Sequence, residues 1–159
     1  MLAQSAPLSA EDRVAIVDTL YRFAGGQDDR DPALLESAFA QDAVLDFTQP
    51  AAALGVDIAP FAGRAEIVDV VMTSTAPLDT THSVSNPRVV SYDGSRARLV
   101  ALVEAQHLVR GDHARRLLLK NKFDVELVRE SGGWVIRSLR IQNIWRTGCA
   151  DVLFPAAPA

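Results

Sequence analysis

Three histidines occur in this 159-residue chain, His82, His107 and His113, and the first two sit where an imidazole needs a reason. His82 lies in TTHSVSNPRV, among small and apolar side chains, just ahead of a turn at Asn86-Pro87. His107 falls near the end of ALVEAQHLVRGD, and the stretch QDDRD supplies Asp28, Asp29 and Asp31 closer to the N-terminus. A neutral imidazole, with a pKa of about 6.5, accepts a proton at physiological pH. A carboxylate bonded to its other nitrogen fixes the tautomer and stabilises the imidazolium as it forms. Proton transfer is the chemistry these residue types offer, provided the fold brings them together.

Plainer readings compete with that one. A histidine on an apolar strand face is often just a hydrogen-bonded core residue, and an aspartate after a helix is often a cap or a surface group. Asp31, directly before Pro32, reads best as the N-cap of a second helix. Which of Asp28, Asp29 and Asp31 faces inwards is left open by the pattern. Two histidines and a carboxylate also form the ligand set of non-haem iron, but no His-x-Asp or His-x-Glu pair supports a metal here. His113 sits in a hairpin turn and is expected to be exposed.

Composition narrows the class. Hydrophobic residues make up 48 % and charged residues 23 %, ordinary values for a globular domain, and the length suits one domain with one core. A net charge of −4 leaves no basic footprint for nucleic acid. The basic run RGDHARRLLLKNK is interrupted or followed by Asp112, Asp124 and Glu126 and reads as a solvated hairpin. The single cysteine, Cys149, permits no intramolecular disulfide and has no lysine or histidine beside it to activate the thiol. MLAQSAPLSAEDR lacks the features of a signal peptide, and no run is long enough to span a bilayer. The expected location is cytoplasmic, with no membrane partner.

The elements that must position these residues follow from periodicity. Ser9 with Glu11 and Asp12 opens a helix whose apolar stripe is Val14, Val17, Leu20, Tyr21 and Ala24, and Gly25-Gly26 is expected to end it. A short helix through Leu34, Leu35 and Phe39 follows, then a strand at AVLDF. TQPAAALGVDIAPFAG reads as a loop, and Gly63 to Ser74 as a third helix. From Thr80 the period changes to two, predicting strands over about 80–91, 95–110, 114–129 and 133–146. Leu99, Ala101, Val103, Ala105, His107 and Val109 then share one face. In the last strand Val135, Arg137, Leu139, Ile141, Asn143 and Trp145 share one face, with Trp134, Ile136 and Ile144 on the other. Apolar residues on both faces predict a homo-oligomer. The fold class is α+β: a single domain over 1–159, with 1–8 and 155–159 as tails.

With these elements placed, LYRFAGGQDDRDPALLESAFAQDAVLDF, TTHSVSNPRV and GGWVIRSLRIQNIWRTG together resemble the SnoaL-like branch of the nuclear-transport-factor-2-like superfamily. The resemblance implies a cone: a strongly curved antiparallel sheet with three N-terminal helices closing an apolar pocket. Within that superfamily the chain is similar to scytalone dehydratase and its relatives, which would make Asp28, His82 and His107 the catalytic positions. Asp28 and His82 also match the acid–base pair of lindane dehydrochlorinase. In place of the tyrosine pair of the first family this chain has Gln27 and Phe47, and where the second has an arginine it has Leu139. Neither named reaction is inherited whole.

What the resemblance implies is a lyase, dehydratase-like, or an isomerase, without cofactor or metal. His82 would remove an activated proton, Asp28 would orient it, and His107 would donate to the departing or rearranging oxygen. Gln27, Phe47, Met72, Ala105, Phe123, Leu139, Ile141, Asn143 and Phe154 would line the pocket around a small cyclic or aromatic carbonyl compound. The alternative is a non-catalytic binding or assembly module on the same cone. Epoxide hydrolysis would instead need a carboxylate such as Glu104 or Asp124 inside the sheet. The fold family admits dimers and trimers, so the resemblance leaves oligomer size open.

Overall fold

Ser9 stands in extended conformation and its hydroxyl accepts from the Asp12 N–H, starting helix α1, Ala10–Asp28. This computed structural model describes residues 7–155. Helix α1 does not stop at Gly25-Gly26. A Cβ on Gly26 would stand 2.6 Å from the Leu35 backbone nitrogen, so the missing side chain lets α2, Pro32–Ser37, pack directly on α1. The glycine serves close approach rather than a break, and the two extra residues carry the helix as far as Asp28. Asp31 caps α2, accepting from the Leu34 N–H at 3.0 Å.

Phe39 belongs not to α2 but to strand β1, Phe39–Asp46. The segment expected to be a loop contains helix α3, Thr48–Ala53, before the two-residue strand β2, Phe61–Ala62. Asp46 explains α3: its Oδ1 accepts from both the Thr48 N–H and the Thr48 hydroxyl, acting as a cap from just outside the helix, and the alanines then propagate it. Helix α4, Arg64–Thr75, makes four α-helices among the described residues where three were expected. Strands β3, Leu78–Tyr92, β4, Arg96–Val109, β5, Asp112–Glu130, and β6, Gly133–Gly148, follow as the predicted meander. A 3₁₀ turn, Ala150–Val152, comes after them.

The six strands form one curved open sheet in the order β2-β1-β6-β5-β4-β3. All neighbours are antiparallel except β1 and β6, which pair in parallel. Ile16, Leu20 and Phe23 of α1 pack on Leu99, Val103, Phe123 and Val125 of the sheet. Phe23 meets Phe39 and Phe123 edge to face at 5.7 and 6.0 Å. Leu8 also packs against this core; of the expected tails, residues 1–6 and 156–159 lie outside the described residues.

Strand β6 departs from simple alternation. The register shifts where Ser138 faces Glu126 and Ile136 faces Leu127, making Arg137 an extra residue in a bulge. Trp134, Ile136, Leu139 and Ile141 therefore all turn inwards and are all buried. A second shift pairs Asn143 with Asn121 and Trp145 with Lys120, which separates Asn143 and Trp145 onto opposite faces. The apolar outer face expected on β6 reduces to Ile144 and Trp145, both about half exposed. No helix among the described residues is long and apolar enough to cross a membrane.

Candidate active site

Asp28 is the last residue of α1, and the helix is seated so that its carboxylate meets β3. Thr80 and His82 are two apart on that strand and share a face, as the period of two requires. Asp28 Oδ1 accepts from His82 Nδ1 at 2.6 Å and from the Thr80 hydroxyl at 2.9 Å. Its Oδ2 accepts from the His82 backbone N–H at 2.7 Å. Burial pushes the Asp28 pKa up, but the bonds from His82 and Thr80 outweigh it and the net shift is downwards. An ionised carboxylate only accepts, so His82 carries a hydrogen on Nδ1, and in the neutral imidazole the lone pair is on Nε2. The His82 side chain is 5 % exposed and lines an apolar cavity.

His107 on β4 stands edge to face with His82, ring centroids 5.6 Å apart. It is buried, and that burial, reinforced by the nearby His82, pushes its pKa down to about 3. His107 is thus a neutral imidazole in ordinary buffers. Its Nδ1 lies 3.4 Å from the Leu117 carbonyl oxygen, which can only accept, so Nδ1 carries the hydrogen here too. In this state its one N–H is directed at the backbone, and Nε2 is an acceptor.

The cavity has a volume of about 120 Å³, in the range of a space that holds a single benzene-sized ring. Of the expected lining residues, Gln27, Phe47, Ala105, Phe123, Ile141 and Phe154 border it. Gln27 is buried and donates to the Phe23 carbonyl at 3.3 Å. Phe47 and Phe154 face each other at 6.5 Å. Met72, Leu139 and Asn143 do not border it. Helix α4 presents Val70, Val71, Ser74 and Thr75 instead of Met72, Leu139 is wholly buried in the core, and Asn143 stands behind Asn121, to whose Oδ1 it donates at 3.0 Å.

Asn121 is the polar residue that sequence reasoning missed. It is 2 % exposed and borders the cavity. The basic run around it is half of β5, with Leu117, Leu119 and Asn121 facing in and Lys120 and Lys122 facing out. The alternation was present in LLLKNKF, but the charges drew attention to the wrong face. Asp29 is exposed; His113 is exposed as expected and pairs with Asp79 at 2.8 Å. Glu104 and Asp124 are engaged on the outer face with Lys120 and Arg98, so neither reaches the cavity. Among the described residues no cluster of three or more His, Cys, Asp or Glu is arranged to hold a metal ion, and neither lysine nor arginine lines the cavity.

A curved sheet closed by helices around an apolar cavity, with a histidine–carboxylate pair at its wall, defines the class to which the chain can be assigned. It belongs to the SnoaL-like domain family, which matches residues 8–140. Its structural neighbours, scytalone dehydratase-like and dehydrochlorinase proteins among them, carry the same nuclear-transport-factor-2-like cone. The chain is 29 % identical to terrestric acid biosynthesis cluster protein E of Penicillium crustosum, over 93 % of this chain and 96 % of that protein. A Novosphingobium aromaticivorans protein provisionally named an aromatic ring hydroxylase superposes with a TM-score of 0.81 at 23 % identity, covering 92 % of this chain and 99 % of that one. Hexachlorocyclohexane dehydrochlorinase type 3 of Novosphingobium barchaimii superposes with a TM-score of 0.72 at 21 % identity, covering 93 % and 96 %.

Proposed function

We propose that the protein is a cofactor-free lyase of the dehydratase kind, or an isomerase, acting by proton transfer on a small, mostly apolar cyclic or aromatic carbonyl compound. The observation that carries this reading is the 2.6 Å bond between His82 Nδ1 and Asp28 Oδ1, on a histidine that lines the cavity. That bond leaves Nε2 as a base, and Asp28 stabilises the imidazolium once the proton arrives. The SnoaL-like family membership and a relative named for a biosynthesis cluster support small-molecule chemistry.

The step starts when His82 Nε2 takes a proton from the carbon next to the carbonyl, the C–H electrons moving into an enolate. Where a hydroxyl stands on the next carbon, its C–O bond breaks, the hydroxyl takes the proton back from His82 Nε2–H, and water and an enone leave. Where no group leaves, the proton returns to a different carbon and the product is an isomer. Either route restores neutral His82. One proton carrier suffices, in keeping with the neutrality of His107. Its Nε2 would accept from a substrate hydroxyl.

A direct test is exchange of the α-hydrogens of cyclohexanone in D₂O, followed by NMR. The wild type should exchange them faster than buffer, and His82→Gln should not. Exchange at the buffer rate by the wild type would leave a binding module as the better description. We also propose that two or three copies associate through the outer face at Ile144 and Trp145. Sedimentation should show a dimer or trimer, and a monomer at all concentrations would refute it.

A further inference from the structure

An asparagine facing a cavity can offer either a donor or an acceptor, and the two ends of its amide are alike in shape, so they are told apart by their partners. For Asn121 the partners decide the question. Asn143, opposite it in the ladder, has one end of its amide 2.9 Å from the Trp145 carbonyl oxygen and 3.4 Å from that of Lys120. Carbonyl oxygens only accept, so that end is Nδ2. The same atom lies 3.0 Å from the near end of the Asn121 amide, which must therefore be Oδ1. Asn121 consequently has its N–H₂ free to turn to the cavity. Asn143 is itself held: its backbone N–H donates to Gln49 Oε1 of α3 at 2.7 Å. The bulge at Ile144 lets it reach the carbonyls of Lys120 and Trp145 together.

We propose that Asn143 is a positioning residue that sets the hydrogen-bonding polarity of the cavity: it holds Asn121 with N–H₂ inward and so selects ligands with an acceptor oxygen against β5. The inference rests on the reading of this cavity as a substrate site, and it deepens that reading by separating the ends. Asn121 pairs with Val103 and Val103 with Val84, two residues along β3 from His82. Sheet spacings put the Asn121 and His82 backbones on the order of 10 Å apart, a span one ring with its substituents can bridge. A carbonyl seated on the Asn121 N–H₂ would meet a donor already in place as its oxygen gains charge. The histidines, whose Nε2 atoms only accept, take the C–H or O–H end.

The test compares cyclohexanone with methylenecyclohexane, which has the same outline but a CH₂ in place of the oxygen. Affinities are measured by NMR titration of the full chain. The wild type should favour the ketone over the alkene more than Asn143→Ala does, the ratio falling roughly two- to tenfold as one oriented hydrogen bond is lost. Asn143→Asp, whose carboxylate accepts from Asn121 and turns its oxygen inward, should abolish the preference. Should these variants fail to fold, the wild type still answers: ketone but not alkene should shift the Asn121 side-chain N–H₂ resonances. An unchanged ratio, or unshifted Asn121 resonances, overturns the proposal. If neither probe binds, the substrate-site reading falls with it. If the ketone preference stands but His82-dependent exchange is absent, only the catalytic reading fails.

Discussion

Asp28 binds His82 twice, through the imidazole Nδ1 at 2.6 Å and through the backbone N–H at 2.7 Å. The second bond matters as much as the first, because it ties the carboxylate to the strand and so fixes the direction from which the ring is addressed. Asp28→Asn keeps the shape but removes the charge that stabilises the imidazolium. Turnover should fall by roughly 10²–10⁴-fold, the usual share of a positioned acid–base group, and the exchange of cyclohexanone α-hydrogens in D₂O should slow with it. An unaltered exchange rate would separate the pair functionally, whatever its geometry.

Thr80 shares Oδ1 with His82, so it competes for the same lone pairs and lowers the basicity of the carboxylate. Thr80→Val removes the hydroxyl with little change of volume. The Asp28 carboxyl should then titrate at higher pH, and Thr80→Ser should bring it back. A purely structural role would change the melting temperature and leave the titration where it was.

His107 makes a stability prediction of definite sign. Its folded pKa of about 3 lies below the unfolded value of 6.5, so the unfolded state binds the proton first. Stability from this residue is intact above about pH 6.5 and declines as pH falls towards 3, by an amount on the order of several kcal/mol. Urea unfolding at stepped pH should therefore show a steeper acid loss in the wild type than in His107→Gln. Parallel curves would mean that His107 is protonated without penalty.

How much of this was legible in the sequence depended on whether local pattern or a contact from elsewhere governed each residue. Asp28 and His82 were singled out by the family resemblance, whereas the meander and the inward face of β4, with His107 on it, followed from a period of two. The α1 terminus did not, because Gly25-Gly26 signals a break locally, and only the approach of Leu35 shows why Gly26 is there. The inward face of β6 failed at Arg137 for a related reason: one inserted residue reverses the parity of everything after it, and bulges carry no strong composition signal. Asn143 shares the inward face expected of it, but the second bulge turns its amide towards the backbone and leaves Asn121 at the cavity.

The start of α1 supplies a prediction of the same sign as that of His107, in a more acidic window. Asp12 accepts from the Tyr92 hydroxyl at 2.5 Å, from Arg129 at 2.5 Å and from the Trp134 indole N–H at 3.2 Å. Arg129 also lies over the Trp134 ring, 4.8 Å from its centroid. One carboxylate thereby joins the helix to β3, β5 and β6. The Tyr92 hydroxyl, with Arg129 and Trp134, lowers its pKa to about 2 from the ordinary 3.8. A depressed carboxylate stabilises the fold above its unfolded pKa and loses that contribution as pH falls through the folded one, here between about 3.8 and 2. Asp12→Asn should lower the melting temperature at neutral pH and converge on the wild type near pH 2. Because the cluster lies away from the cavity, cyclohexanone binding at a temperature where both proteins are folded should be unchanged. A binding defect in Asp12→Asn would show that the helix seat and the site are coupled, and that α1 positions Asp28 less independently than its bonds to β3 imply.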